Sequence, residues 1–491
     1  MRTAVNHRFN FAIVSRLSGQ LLIVLAAILA SLLALSLWAD DGAAMAFAFS
    51  AAVVAVVGSL LRFGFGRHAA TELRGRESFW MTSVVWLLAM LCGSLPYMFY
   101  GAEGFTNALF ESVSGFTTTG SSVIARPEQL PPSLQLWRCA TQWLGGLGLV
   151  LLIVAINPRL ASGSLQLYDA EFSGTQQRKL HPHIAVSVSR MWRIYAAVTV
   201  AMVVALRLGG ESLFQSVCLA MSTVSTGGFL TSSSGLAGAN ASTMTIVIVF
   251  MFLSGVNVAM IYNFVTFKWR RFWHNEELLV YTMLFVVATA LCTTAFVADG
   301  NTLEDSARFS VFHVASTVST CGFFIARPAH WSFLVSVVTF LLMFIGASSG
   351  STGGGLKIRR LLTLVKYMRN YVTRMIHPNV VFSIKIDHET VPAEYVNKIF
   401  AFAFLYISFV IGGGFVLTLC GSNIPEALSM AAANMANLGP SPLMDAAGSM
   451  PVYSVLPLPA KLTLMVLMLA GRLEIFALLA IFSPAYNIFR R

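Results

Sequence analysis

Charge is scarce in this sequence. Only 11% of its 491 residues are Asp, Glu, Lys or Arg, against roughly 25% in an ordinary soluble domain, and this excludes most water-soluble enzyme folds. The six cysteines (Cys92, Cys139, Cys218, Cys292, Cys321, Cys420) are scattered singly along the chain, so neither a disulfide framework nor a zinc site is implied. A nucleotide-binding motif is lacking, as is any stretch long enough for a soluble sensor domain. The apolar segments hold no cluster of acids and histidines, which argues against an integral-membrane enzyme. His181 and His183 lie in a basic loop and read as solvated residues rather than a metal pair. No cleavable signal peptide is expected, because the first apolar run is long, lacks a small-residue cleavage site and is soon followed by a second.

Hydrophobicity is what the chain has. The apolar class makes up 56% of it, with a mean hydropathy of +0.73. Apolar runs of spanning length fall at about 21–38, 43–61, 79–99, 137–156, 194–208, 243–266, 278–298, 331–356, 399–420 and 455–482, which predicts a ten-span membrane protein embedded in the bilayer. With both termini placed in the cytoplasm, most of the 32 Lys and Arg fall on the inner side, as the positive-inside rule requires. The net charge of +11 is then topological and needs no nucleic-acid partner.

Between spans lie apolar segments too short to cross, and they repeat. Residues 222–229 read STVSTGGF and residues 316–323 read STVSTCGF, identical at seven of eight positions. Looser copies are SGFTTTGS at 114–121 and ANMANLGP at 433–440. Aligned, they give Thr118-Thr119-Gly120, Thr226-Gly227-Gly228, Thr320-Cys321-Gly322 and Asn437-Leu438-Gly439. Seventeen positions before each glycine stand Glu103, Glu211, Asp305 and Ser422. These residue types suit a helix start, and the three acids would equally concentrate cations at an outer mouth.

The repeating unit is therefore a span, a short helix with a glycine loop, and a second span. Four such units follow an extra N-terminal helix pair, with boundaries at 1–76, 77–190, 191–274, 275–390 and 391–491. Two crossings return the chain to its starting side, so the units are parallel and can close around one axis. Non-helical backbone at membrane depth is tolerated where protein buries it or where it lines a watery cavity. Four uncharged loops rich in glycine, which permits positive φ, can turn peptide oxygens toward that axis and replace the hydration shell of a monovalent cation. The absence of carboxylates favours K⁺ over Ca²⁺.

These motifs resemble the Trk/Ktr/HKT superfamily of K⁺ channels and transporters, in its bacterial TrkH/TrkG branch, over essentially the whole chain. The resemblance implies an all-α polytopic fold of four M1-P-M2 repeats in pseudo-fourfold arrangement around one pore. It also implies K⁺ uptake across a bacterial inner membrane, a homodimer with one pore per protomer, and K⁺ as the bound and transported ion. It carries the selectivity-filter glycines to Gly120, Gly228, Gly322 and Gly439. Serine at the first position goes with Na⁺ preference in the family, so four glycines favour K⁺. Ser121 and Pro440 stand where the middle copies have Phe229 and Phe323, which suggests an asymmetric filter.

A second feature is Gly346-Ala-Ser-Ser-Gly350-Ser351-Thr352-Gly353-Gly354-Gly355. Five glycines in ten residues, each costing about 1 kcal/mol relative to alanine in a helix, predict a break in the eighth run. The family has an intramembrane gating loop at this place; a hinge or packing kink is the other reading. Arg472, in LAGRLEIF, is costly inside a span unless it pairs or faces water. Resemblance places it below the filter as a barrier to cations, and a structural tie to backbone carbonyls remains the alternative. Gln142-Trp-Leu-Gly-Gly146-Leu-Gly148 also resembles a family motif, although close helix packing explains it as well. A cytosolic TrkA-like nucleotide-binding ring is the implied regulator. A K⁺/H⁺ or K⁺/Na⁺ symporter with alternating access is the competing function, disfavoured because Glu474 is the one candidate carboxylate.

Overall fold

In the computed structural model, residues 10–65, 75–149, 151–152, 184–325, 332–377, 383–387, 389–439 and 453–482 are described. Arg67, Arg74, Arg159, Lys179, His181, His183, Pro440 and both termini lie outside them, and with them much of the basic inner surface on which the orientation rests. The fold is all-α. A two-residue antiparallel ladder, β1 (Lys385–Ile386) against β2 (Glu389–Thr390), is the only β structure among the described residues.

The N-terminal pair is α1 (Phe11–Ala39) and α2 (Ala44–Ser59), the latter running on as a π turn to Phe65. They pack very closely, because a Cβ on Gly19 would lie 2.6 Å from the Gly58 carbonyl oxygen. Small residues allow such an approach between membrane helices. The tight bend between the helices is fixed by Asp41, whose carboxylate accepts from the Ala43 N–H at 3.2 Å and from Ser133 N at 2.9 Å on a distant helix.

Four units follow. The first has α3 (Gly75–Tyr100), α4 (Phe105–Phe116) and α5 (Pro132–Gly146). The second has α6 (Ile184–Leu208), α7 (Leu213–Val224), α8 (Ala241–Ser254) and α9 (Val258–Val265), leading into the short α10 (Trp269–Trp273). The third has α11 (Glu276–Ala298), α12 (Leu303–Ser319), α13 (Phe333–Ile345) and α14 (Ile358–Ile376). The fourth has α15 (Ala393–Leu419), α16 (Ile424–Met435), α17 (Leu458–Arg472) and α18 (Phe476–Phe482). At 1.5 Å per residue, α4, α7 and α16, with 12 residues each, reach about 18 Å, too short for a core about 30 Å thick. The short helices begin close to Glu103, Glu211, Asp305 and Ser422, the positions that the sequence marks. Ser212 accepts from Gln215 N at 3.2 Å and Thr302 from Asp305 N at 3.2 Å, while Asn423 and Glu426 form a capping box.

The ten expected spans are not ten continuous helices. Six described helices are long and apolar enough to cross alone, and α8 with α9 makes a seventh, bent by 109°. The remaining second spans break. α5 ends at Gly146, α13 gives way to a non-helical stretch before α14, and α17 stops at Arg472 before α18. All four units thus interrupt their second span. The long helices turn exposed apolar side chains outward, among them Trp38, Val200, Met283, Phe404 and Phe415, as a bilayer requires. Serine and threonine hydroxyls are buried toward the middle. One continuous core joins the N-terminal pair, the first unit and the fourth, so the last unit returns to lie beside the first.

Candidate functional site

Each short helix ends in the same way. Thr118 N donates to Gly115 O at 3.0 Å and Thr119 N to Ser114 O at 2.9 Å; Thr226 N and Gly227 N repeat this onto Thr223 O and Ser222 O at 3.0 and 2.8 Å. Thr320 N and Cys321 N reach Thr317 O and Ser316 O at 3.1 and 2.9 Å, and Asn437 N and Leu438 N reach Asn434 O and Ala433 O at 3.2 and 2.9 Å. This paired closure is the Schellman ending, in which the residue just past the helix is left-handed and usually glycine. Here it is Thr118, Thr226, Thr320 and Asn437, with φ of 56°, 56°, 61° and 53°. Left-handed threonine is strained by about 1–3 kcal/mol, yet it occurs three times in one chain. The third loop residue also has positive φ at Gly120, Gly228, Gly322 and Gly439, between 71° and 93°. A chain that alternates in this way turns successive peptide oxygens in one direction.

The loops meet. A Cβ on Gly439 would lie 2.4 Å from the Thr119 carbonyl oxygen, one on Gly120 2.4 Å from that of Gly227, and one on Gly228 2.4 Å from that of Cys321. The fourth loop therefore adjoins the first, the first the second and the second the third. Thr118, Thr226, Thr320, Cys321, Asn437 and Leu438 are buried, whereas Gly120, Gly228 and Gly322 keep part of their surface open. Ser121, buried like Phe229 and Phe323 at the matching positions, donates its hydroxyl to Asn434 Oδ1 at 2.8 Å.

Residues 346–357 form a non-helical layer under the C-terminal ends of the short helices. Thr352 Oγ1 donates to Val224 O at 3.1 Å and Gly354 N to Thr320 Oγ1 at 2.8 Å. A Cβ on Gly354 would sit 1.9 Å from the Ala436 carbonyl oxygen, so only glycine fits. Arg472 closes this layer from the fourth unit, donating to Thr352 O at 2.9 Å and to the carbonyls of Gly145 and Gly146 in the first. These bonds are the tie to backbone carbonyls that was one of the two readings of Arg472. Helix C-termini carry partial negative charge, and several converge here. A narrow cavity of about 40 Å³ is bounded by Trp86, Ser351, Gly354, Asn437 and Arg472, room for only a few waters.

Several residues here have partners that the sequence reading did not supply. Glu474 is not on a helical face at all. With Ile475 it is left-handed, φ 55° and 57°, at the break after Arg472, and it pairs with Arg360. Glu277, buried at the start of α11, accepts from Ser349 N, and Lys357 Nζ donates to Gly353 O. Gln142 contacts the second loop rather than serving helix packing alone, with Nε2 on Gly227 O at 2.6 Å. Glu103 and Glu211 accept from Asn107 Nδ2 and Thr243 Oγ1, each at 2.8 Å. Outside the spans, Glu128 bridges to Ser233 N and Oγ at 2.9 and 2.8 Å. Partial burial pushes its carboxyl up, but those hydrogen bonds and its own backbone amide outweigh this and hold it below the usual range.

Comparison with known proteins follows the same outline. Residues 43–491 match the family model TrkH, described as a cation transport protein. The Trk system potassium uptake protein TrkH of Halomonas elongata is 34% identical, over 97% of this chain and 99% of that protein. TrkH of Escherichia coli K12 is 31% identical over the same shares. The crystal structure of the potassium transporter TrkH from Vibrio parahaemolyticus superposes with a TM-score of 0.87 at 28% identity, covering 98% of this chain and 100% of that one. The chain belongs to the TrkH family of cation transport proteins.

Proposed function

We propose that this chain is a K⁺ uptake subunit of a bacterial inner membrane, with both termini cytoplasmic, that conducts K⁺ down its electrochemical gradient. The observation that carries the reading is the fourfold recurrence of one backbone conformation, left-handed then positive-φ glycine, in loops that adjoin one another. The names of the relatives, potassium uptake proteins, support K⁺ as the ion. The filter would comprise Thr118–Gly120, Thr226–Gly228, Thr320–Gly322 and Asn437–Gly439, whose peptide oxygens replace the hydration shell.

Segment 346–355 is the gate. It lies across the inner face of the loops, and the cavity beside it has room for only a few waters, which supports a conformation closed to a hydrated ion. Arg472 adds a fixed positive charge to that barrier. Opening requires the segment to leave Thr320, Val224 and Arg472 together. α14 begins at Ile358, directly after the segment, with Arg359, Arg360 and Lys366 along it. A cytosolic nucleotide-binding ring that engages this basic helix would pull on the gate. The working unit is a homodimer with one passage per protomer.

Two measurements test this. Expression in a K⁺-uptake-deficient cell, with and without such a ring, should restore growth at limiting K⁺. Reconstituted protein should give unitary K⁺ currents in planar bilayers. Flux strictly tied to a pH or Na⁺ gradient, with no unitary current, would replace conduction by alternating-access symport.

A further inference from the structure

One face of α5 holds the first and second loops in a single clamp. Arg138 and Gln142 are one turn apart and share that face. Arg138 Nε donates to Glu111 Oε1 at 2.8 Å, Nη2 to Ser122 Oγ at 3.1 Å and Nη1 to Leu230 O at 3.0 Å, and its guanidinium lies 4.2 Å from the Phe229 ring centre. Glu111 Oε2 accepts from Val123 N at 3.1 Å. Gln142 Nε2 donates to Gly227 O at 2.6 Å, and its Oε1 accepts from Ser222 Oγ at 2.8 Å and Phe229 N at 3.2 Å. The chain leaving the first loop and most of the second are thus fixed to the same helix. The Gly227 oxygen that Gln142 holds is the atom a Cβ on Gly120 would strike.

This arrangement exceeds what packing needs. Glu111 and Arg138 are 0% and 3% exposed, and an apolar pair of similar volume stabilises a core as well as a buried ion pair does. The pair instead supplies direction, since a guanidinium fork fixes several acceptors at once. The other two loops each have a tie within their own unit, besides bonds across units from Asn437 Nδ2 to Thr119 Oγ1 at 3.0 Å and from Cys321 Sγ to Thr223 O at 3.6 Å. Ser316 Oγ donates to Phe323 O at 2.8 Å in the third, and Tyr453 OH to Gly439 O at 3.1 Å in the fourth.

We infer that Glu111, Arg138 and Gln142 are positioning residues that set ion discrimination at the junction of the first and second loops. The inference rests on the filter reading above. Its test uses the full chain in liposomes, with K⁺, Na⁺ and Rb⁺ permeability ratios from bi-ionic potentials for Gln142→Leu, Arg138→Lys and Glu111→Gln, beside Gly120→Ser. Arg138→Lys keeps the charge but cannot reach Glu111, Ser122 and Leu230 together. The expected result is a several-fold fall in K⁺ preference in all three clamp variants, with yield and K⁺ current retained. If the ratios stay at the parent value while Gly120→Ser shifts them, the clamp is scaffolding and the inference fails alone. If Gly120→Ser also leaves them unchanged, the filter reading falls with it. Should Arg138→Lys yield no folded protein, the two neutral variants decide.

Discussion

At the scale of the residue, the informative positions are those where side-chain chemistry and backbone conformation disagree. Threonine in the left-handed region is unfavourable, yet Thr320 is held there, and its hydroxyl accepts from the Gly354 N–H beneath it. Thr320→Val preserves shape and removes the acceptor, leaving a buried N–H unpaired at about 1–3 kcal/mol. That penalty falls on the closed arrangement. Basal K⁺ flux into liposomes should rise, and unchanged flux would separate Thr320 from the gate. Gly120→Ser acts in the opposite compartment. Its Cβ would lie 2.4 Å from the Gly227 oxygen, so that carbonyl must turn, and K⁺ over Na⁺ discrimination should fall. Gly322→Ser, at φ 71°, should weaken discrimination in the same assay.

At the scale of the element, the segment between α13 and α14 is defined by steric exclusion. Gly354→Ala places a methyl group 1.9 Å from the Ala436 oxygen, so the segment must withdraw from the fourth loop. Arg472→Ala removes its ties to Thr352, Gly145 and Gly146. Both variants should raise leak through closed channels, read as ⁸⁶Rb⁺ uptake without a regulatory partner. Loss of folded protein without added flux would leave Arg472 a purely structural role. The glycine density of 346–355 and the lone arginine were visible in the sequence because each breaks a local rule: glycine in a span, charge in a span. Glu111 and Arg138 break the same rule, but Arg138 sits near the start of its run and read as an outer-side charge. The partners of Gln142, Glu277 and Glu474 were not legible, since each is 70 or more residues away in the chain or is created by a turn such as that at Glu474. The breaks in the other three second spans were hidden for a related reason: a run of apolar residues records depth in the bilayer, and a bend leaves that depth unchanged.

At the scale of the whole molecule, the N-terminal pair is fastened to the first unit by Asp41, which satisfies an N–H in the first turn of α5, a helix with no side-chain cap of its own. Partial burial raises the Asp41 carboxyl, but hydrogen bonds from Ser36, Ser133 and Ala43 outweigh this and hold it below its ordinary 3.8. Its folded value is depressed, so its stabilisation is present above 3.8 and fades as pH falls through the lower folded value. Asp41→Ala should therefore lower the melting temperature of detergent-purified protein at neutral pH, by a loss of about 1 kcal/mol typical of a cap. The gap between variant and parent should close under strong acid; a gap independent of pH would assign the loss to packing. The interruption of all four second spans has a further consequence. A rod that crossed the membrane unbroken would transmit every tug on its inner end to the collar of oxygens at its outer end. Jointed rods do not, so, on the proposed filter and gate, the inner ends can swing while the collar keeps its calibre, and choosing the ion and admitting it would be separately adjustable.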